Sequence, residues 1–167
     1  MKFLVVLVSL APLASSLPTY ALPKTFVAAE GCELPEGYVL SKFTTWTPVG
    51  SNDTSISFNY FDESTNITTS CYKNSSSQAI TSPGYAARYP CENSIVKFIW
   101  SNSKLGLIEE ACPEDSSTSY EASGSVVPSL QCASKNCTVT GETGLQCTSA
   151  NQTITAQFTS LQPAPPS

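Results

Sequence analysis

No histidine occurs among the 167 residues, and charge is scarce: 8 lysines and arginines and 13 aspartates and glutamates make up 13% of the chain. Without an imidazole there is no Ser-His-Asp or Cys-His hydrolase, no His-ligated zinc and no His-ligated haem. Eight cations in a chain of net charge -5 leave no basic footprint for a phosphate backbone, so nucleic acid is not an expected partner. No segment sustains an amphipathic helical period, and no internal repeat is visible. The cysteines lack C-x-x-C spacing, so no zinc knuckle is expected, and neither is any other metal or cofactor. Serine and threonine fill the places that charge leaves, giving a polar, uncharged surface. With 41% apolar residues the chain has material for one folded domain and is not intrinsically disordered.

The first residues read as a secretory signal. Lys2 supplies a positive start, Phe3 to Leu13 an apolar stretch of 11 residues broken only by Ser9 and Pro12, and Ala14, Ser15 and Ser16 the small residues that follow. Cleavage fits after Ser16 or after Ala21. The stretch is well short of the roughly 20 residues that span a bilayer. Leu161 to Ser167 is proline-rich without a hydrophobic tail, so no lipid-anchored product is expected. The expected organisation is a signal over 1–21, a β-domain over 22–161 and a disordered proline-rich tail over 162–167. The product is expected outside the cell, with no membrane association.

Seven cysteines follow the signal: Cys32, Cys71, Cys91, Cys112, Cys132, Cys137 and Cys147. In an oxidising compartment they form a disulfide framework, and their odd number leaves one thiol over or paired with another chain. Spacing alone does not choose among the pairings. Asn-x-Ser/Thr acceptors stand at Asn52, Asn66, Asn74, Asn136 and Asn151, of which two or three are expected to carry glycans. Asn136 has a cysteine in its middle position, which can block it.

The chain alternates with period two. Thr54 to Asp62 sets Ile56, Phe58 and Tyr60 on one face, and Gln152 to Phe158 sets Ile154, Ala156 and Phe158 inward and Asn151 outward. Ser94 to Trp100 is apolar on both faces except at Lys97, as in a strand covered on both sides. Tyr38 to Trp46 reads as a strand with Val39 and Phe43 on one face and Leu40 and Trp46 on the other. Leu105 to Ile108 and Tyr120 to Val127 are shorter candidates. Pro48-Val49-Gly50, Ser82-Pro83-Gly84 and Thr140 to Gly144 supply turns. Short strands separated by turns predict an all-β domain, a single antiparallel barrel or sandwich stabilised by disulfides.

Catalytic groupings are thin. A glycosidase needs two carboxyl groups about 5 to 9 Å apart across a cleft. The neighbours Asp62-Glu63, Glu109-Glu110 and Glu114-Asp115 would point to opposite faces of a strand, so none is itself a dyad. Serine lacks a G-x-S-x-G elbow, and nothing basic flanks Cys112. No catalytic residue is assigned and the chain is not expected to be an enzyme. Tyr72, Tyr85 and Tyr89 could form a sugar-stacking or partner-binding platform, although aromatic rings serve core packing equally well.

The order of these features resembles a family. Cys32 precedes Gly37-Tyr38-Val39 and Phe43. The alternating strand ending in Phe58 follows, then the Cys71 to Cys91 interval closing in Tyr89-Pro90-Cys91, an Ile/Val/Phe/Trp strand with Leu105-Gly106-Leu107, and Gln146-Cys147 leading to Ile154 and Phe158. The pattern, over roughly residues 31 to 161, resembles the fungal secreted proteins typified by the major allergen of Alternaria. The resemblance implies a small β-barrel with two internal disulfides, dimerised through a cysteine near the mature N-terminus. Carried over, Cys71 pairs with Cys91, Cys147 with Cys132 or Cys137, and Cys32 becomes the inter-chain cysteine. Cys112 and one of Cys132 or Cys137 depart from the pattern and could form a third bridge; alternatively Cys32 closes on Cys112, leaving the dimer in doubt.

Relatives of that kind are allergens, elicitors of plant defence and secreted effectors. The resemblance therefore implies a non-catalytic protein with a role in virulence, binding a host extracellular protein or a small phenolic or apolar ligand. The alternatives are a carrier of an apolar molecule in the barrel or dimer seam, with Phe43, Phe58, Phe98 and Trp100 as lining, and a carbohydrate hydrolase using two distant acids.

Overall fold

The computed structural model describes residues 20–24, 26, 31–113, 119–136 and 142–165, and among these the chain forms strands and loops without a helix. One sheet is built from β1 (Gly37–Pro48), β2 (Ser55–Asp62), β3 (Ile67–Lys73), β8 (Leu130–Asn136), β9 (Thr143–Ser149) and β10 (Thr153–Gln157). The other contains β4 (Tyr89–Pro90), β5 (Val96–Ser101), β6 (Lys104–Ala111), β7 (Tyr120–Val126) and β11 (Ser160–Pro163). The first runs β3-β2-β1-β9-β8, with β10 also on β1; the second runs β11-β7-β6-β5-β4. Every pairing is antiparallel. The all-β barrel or sandwich predicted from the alternation is the fold observed: two sheets face each other and do not close into one continuous ladder.

β1 organises the first sheet. One edge pairs with β2; the other pairs with β10 over Gly37 to Ser41 and with β9 over Thr44 to Pro48. The register shifts between Ser41 and Thr44, where Lys42 adopts φ 54°. This bulge inserts one residue and reverses the side-chain parity beyond it. Tyr38 and Leu40 before the bulge, and Phe43 and Thr45 after it, are therefore all buried. That corrects the faces read from strict alternation: Leu40 and Phe43 share the inner face, while Val39 and Trp46 lie on the outer one. The bulge also lets one strand feed two partners at its edge.

The sheets approach along both flanks. At one, the Cys71–Cys91 disulfide joins β3 to the end of β4 with Cα atoms 4.2 Å apart, and Glu92 N donates to Ser70 O at 2.9 Å. At the other, Thr159 N donates to Ser123 O at 2.8 Å, and a Cβ added at Gly124 would stand 2.4 Å from Gln157 O. Only glycine permits that approach, which lets the chain leave β10, turn at Phe158 and enter the second sheet as β11.

The interior is aromatic. Phe43, Phe58, Phe98, Tyr38, Tyr60 and Phe158 are each at most 1% exposed. Phe58 meets Phe98 edge-on at 5.2 Å and Phe43 in a stacked pair at 5.7 Å; Tyr38 lies 5.0 Å from Phe158. Each such ring contributes roughly 2–3 kcal/mol by leaving water. Tyr20 joins this core at 6% exposure and donates to Pro35 O at 2.5 Å. At the other terminus β11 continues to Pro163, past the expected boundary at 161, and Ala164 N still donates to Ser119 O at 2.8 Å. The expected signal before residue 20 lies outside the described residues, as does the end of the tail.

Candidate functional site

Two places concentrate polar chemistry: a buried acid cluster between the sheets and a groove on the outer face of the second sheet. In the first, Glu109 lies on β6 with its side chain inward and 0% exposed. Tyr60 Oη donates to its Oε2, and Thr65 Oγ1 to its Oε1 at 2.7 Å. Burial pushes its pKa up to about 7, against the opposing pull of the Tyr60 and Thr65 bonds and with a further push from Asp62. Asp62, also 0% exposed, accepts from Ser64 N at 2.7 Å and Thr65 N at 3.4 Å through Oδ1. Its Oδ2 and the Tyr38 Oη have no hydrogen-bond partner among the described residues. Desolvation raises the Asp62 pKa despite those amide bonds. A buried carboxyl in that state favours its neutral form. The Tyr20, Tyr38 and Tyr60 hydroxyls are all pushed up, first by burial.

The alternation accounts for this cluster. Glu109 follows Leu105 and Leu107 on the inner face while Glu110 points out, and Asp62 ends the inner row of Ile56, Phe58 and Tyr60. The two carboxyls expected to diverge from their neighbours do so, and in diverging both enter the core. Glu114 and Asp115 lie outside the described residues.

The outer groove measures about 350 Å³. It is lined by Ile99, Gly106 and Ile108 of β5 and β6, by Tyr85 and Arg88, and by Gln162 and Pro163 of β11. Glu121 is the carboxylate among its lining residues. Its Oε2 accepts from Arg88 Nη1 and its Oε1 from Lys97 Nζ at 3.0 Å. The Arg88 guanidinium in turn sits 5.2 Å from the Tyr85 ring. Lys97, the one polar residue in an apolar strand, is explained by this pair.

The aromatic positions divide. Phe43, Phe58 and Phe98 fill the interior with Trp100, whose ring is 5.7 Å from Phe43, so these four pack on each other where a carrier would need a cavity. Tyr89 also turns inward, 5.8 Å from Phe98. Tyr72 is 55% exposed on β3, whereas Tyr85, 47% exposed, lies in the loop before β4. Tyr72, Tyr85 and Tyr89 therefore do not form one platform.

Six sulfurs are paired: Cys32–Cys112, Cys71–Cys91 and Cys132–Cys147. With Cys32 closed on Cys112, the inter-chain bridge expected at Cys32 has no thiol there. Cys147 takes Cys132, its direct cross-strand partner, and Cys137 lies outside the described residues. Among the glycosylation acceptors Asn52, Asn66, Asn136 and Asn151 are exposed; Asn66 stands at a turn with φ 55°. Asn74 is half-buried, its Oδ1 held by Ser76 N at 2.9 Å and Ser76 Oγ at 2.8 Å. Sequence reasoning missed Glu121 and Arg88, which lie 33 residues apart. The lone Lys97 in an apolar run was the available signal for a buried countercharge.

No protein-family model matches the chain, and no curated protein matches it. The chain is similar to solved structures of the Alternaria alternata major allergen Alt a 1. One crystal structure has 21% identity and a TM-score of 0.48, covering 78% of this chain and 96% of that one. A second has 21% identity and a TM-score of 0.49, covering 80% and 92% respectively.

Proposed function

We propose that this chain is a secreted, non-catalytic protein of the allergen and elicitor kind, acting through contact at a host interface. The carrying observation is the position of Glu109: the carboxyl best placed by pKa for proton transfer is wholly enclosed and held by Tyr60 and Thr65. A general acid must reach a substrate, and this one has no exposed surface. Glu121, the acid in the groove, is engaged by Arg88 and Lys97. Three disulfides suit an oxidising compartment, and the order of the cysteines supports the same kind of protein.

On this reading the signal is removed, two or three of the exposed acceptor asparagines carry glycans, and a homodimer linked by a disulfide forms through Cys137, the cysteine left by the three bridges. The partner is a host extracellular component reached by the outer surfaces. Infiltrating the purified protein into leaf tissue tests this. A defence response to the folded protein is the expected result; no response across several hosts overturns it.

A further inference from the structure

The outer face of the first sheet is unlike the rest of the molecule. From β3 across β2 and β1 to β10 its outward positions are Ser, Thr, Asn and Gln interspersed with apolar and aromatic side chains, and none is charged. Two cations border it: the exposed bulge residue Lys42, beside Thr148 and Gln152, and Lys135 on β8, whose strand partner Gly144 lies under the Trp46 ring. Three rings stand on this face. Tyr72 is 55% and Phe61 37% exposed, and the half-buried Trp46 ring lies across Gly144, where an added Cβ would meet it at 2.5 Å. Tyr72 aligns with Ser57, four residues along β2 from Phe61, so these two rings stand about 14 Å apart along the strands. Trp46 is two strands and two residues from Tyr72, about 12 Å away.

We infer that this face binds a neutral polysaccharide. Rings spaced along a flat sheet offer stacking surfaces for the C–H faces of sugars, and the hydroxyls and amides between them exchange hydrogen bonds with sugar hydroxyls. The scarcity of charge selects the class of ligand. A polyanion would meet only Lys42 and Lys135 at the border and would be repelled by a chain of net charge -5, and a charged protein partner would find no ion to pair with between Tyr72 and Phe61. The separated rings require an extended ligand, a polymer and not a single sugar. This inference names a ligand class for the contact function proposed above and rests on it.

Co-sedimentation of the full secreted protein with particles of cellulose, chitin and linear β-1,3-glucan tests the inference. Retention on at least one polymer is expected, unchanged in about 1 M salt because neutral contacts are not screened. Tyr72→Ala and Phe61→Ala should each weaken it about tenfold. Tyr72→Phe, which keeps the ring, should retain binding, and so should Tyr85→Ala in the opposite groove. No retention on any polymer, loss of retention in high salt, or equal loss from Tyr85→Ala overturns the inference. If Tyr72→Ala instead converts a dimer to a monomer in sedimentation, the face belongs to a second copy and the inference also falls. A leaf response that persists without polysaccharide retention leaves the contact function standing and removes only this ligand.

Discussion

Glu109→Gln should flatten the pH dependence of stability. Folding raises the Glu109 pKa from an ordinary 4.5 to about 7, so between those values the folded chain holds a proton that the unfolded chain has released. Stability from this group is complete below pH 4.5 and is lost as the pH climbs through 7. At 1.36 kcal/mol per unit the loss approaches about 3 kcal/mol, which lowers the melting temperature by roughly 10 °C in a domain of this size. Glutamine does not titrate and keeps an oxygen to accept from Tyr60 or Thr65. The variant should match the wild type near pH 4.5 and exceed it above pH 7, with a smaller residual slope in the same direction from Asp62. Melting curves by circular dichroism between pH 4 and 8 make the comparison. A wild type most stable near pH 8, or a variant that keeps the full slope, refutes the reasoning.

Gly124→Ala should cost at least about 2 kcal/mol, because its methyl meets Gln157 O at the seam between β7 and β10; an unchanged melting temperature would contradict this. Replacing both Cys71 and Cys91 by serine should lower stability by about 3 kcal/mol, and replacing Cys32 and Cys112, which close a loop of 80 residues, by about 4.5 kcal/mol, as read in denaturant titrations. The mass of the secreted chain should place its first residue at Leu17, since cleavage after Ala21 would remove the core residue Tyr20. Non-reducing electrophoresis should show a dimer that Cys137→Ser converts to a monomer. A dimer that survives this change places the link elsewhere.

The strands with clean alternation were legible because a half-buried sheet needs period two and little else. Ile56, Phe58 and Tyr60, and likewise Ile154 and Phe158, face inward as the pattern requires. β1 was legible as a strand but not in its faces, since the αL residue Lys42 adds a residue that no apolar pattern marks. β3 was hidden because Thr68, Ser70 and Tyr72 look outward while its inner row holds Ile67, Thr69, Cys71 and Lys73, of which only two are apolar. The exposed β8 hairpin arm carried no hydrophobic pattern to read. The polar sites depend on distant partners: Glu109 meets Thr65 across 44 residues and Arg88 meets Glu121 across 33, and such pairings follow from the fold and not from local sequence.

The Cys71–Cys91 bridge clamps the two sheets around a filled interior, Cys132–Cys147 ties β8 to β9 and Cys32–Cys112 ties the segment before β1 to the end of β6, leaving function to the outside. Mass spectrometry of peptides cut from the unreduced secreted protein reads these links. The peptides should show Cys32 linked to Cys112, Cys71 to Cys91 and Cys132 to Cys147, with Cys137 outside these three links. Cys71 joined to any sulfur other than Cys91 would contradict the clamp, because the flank between β3 and β4 could not then close.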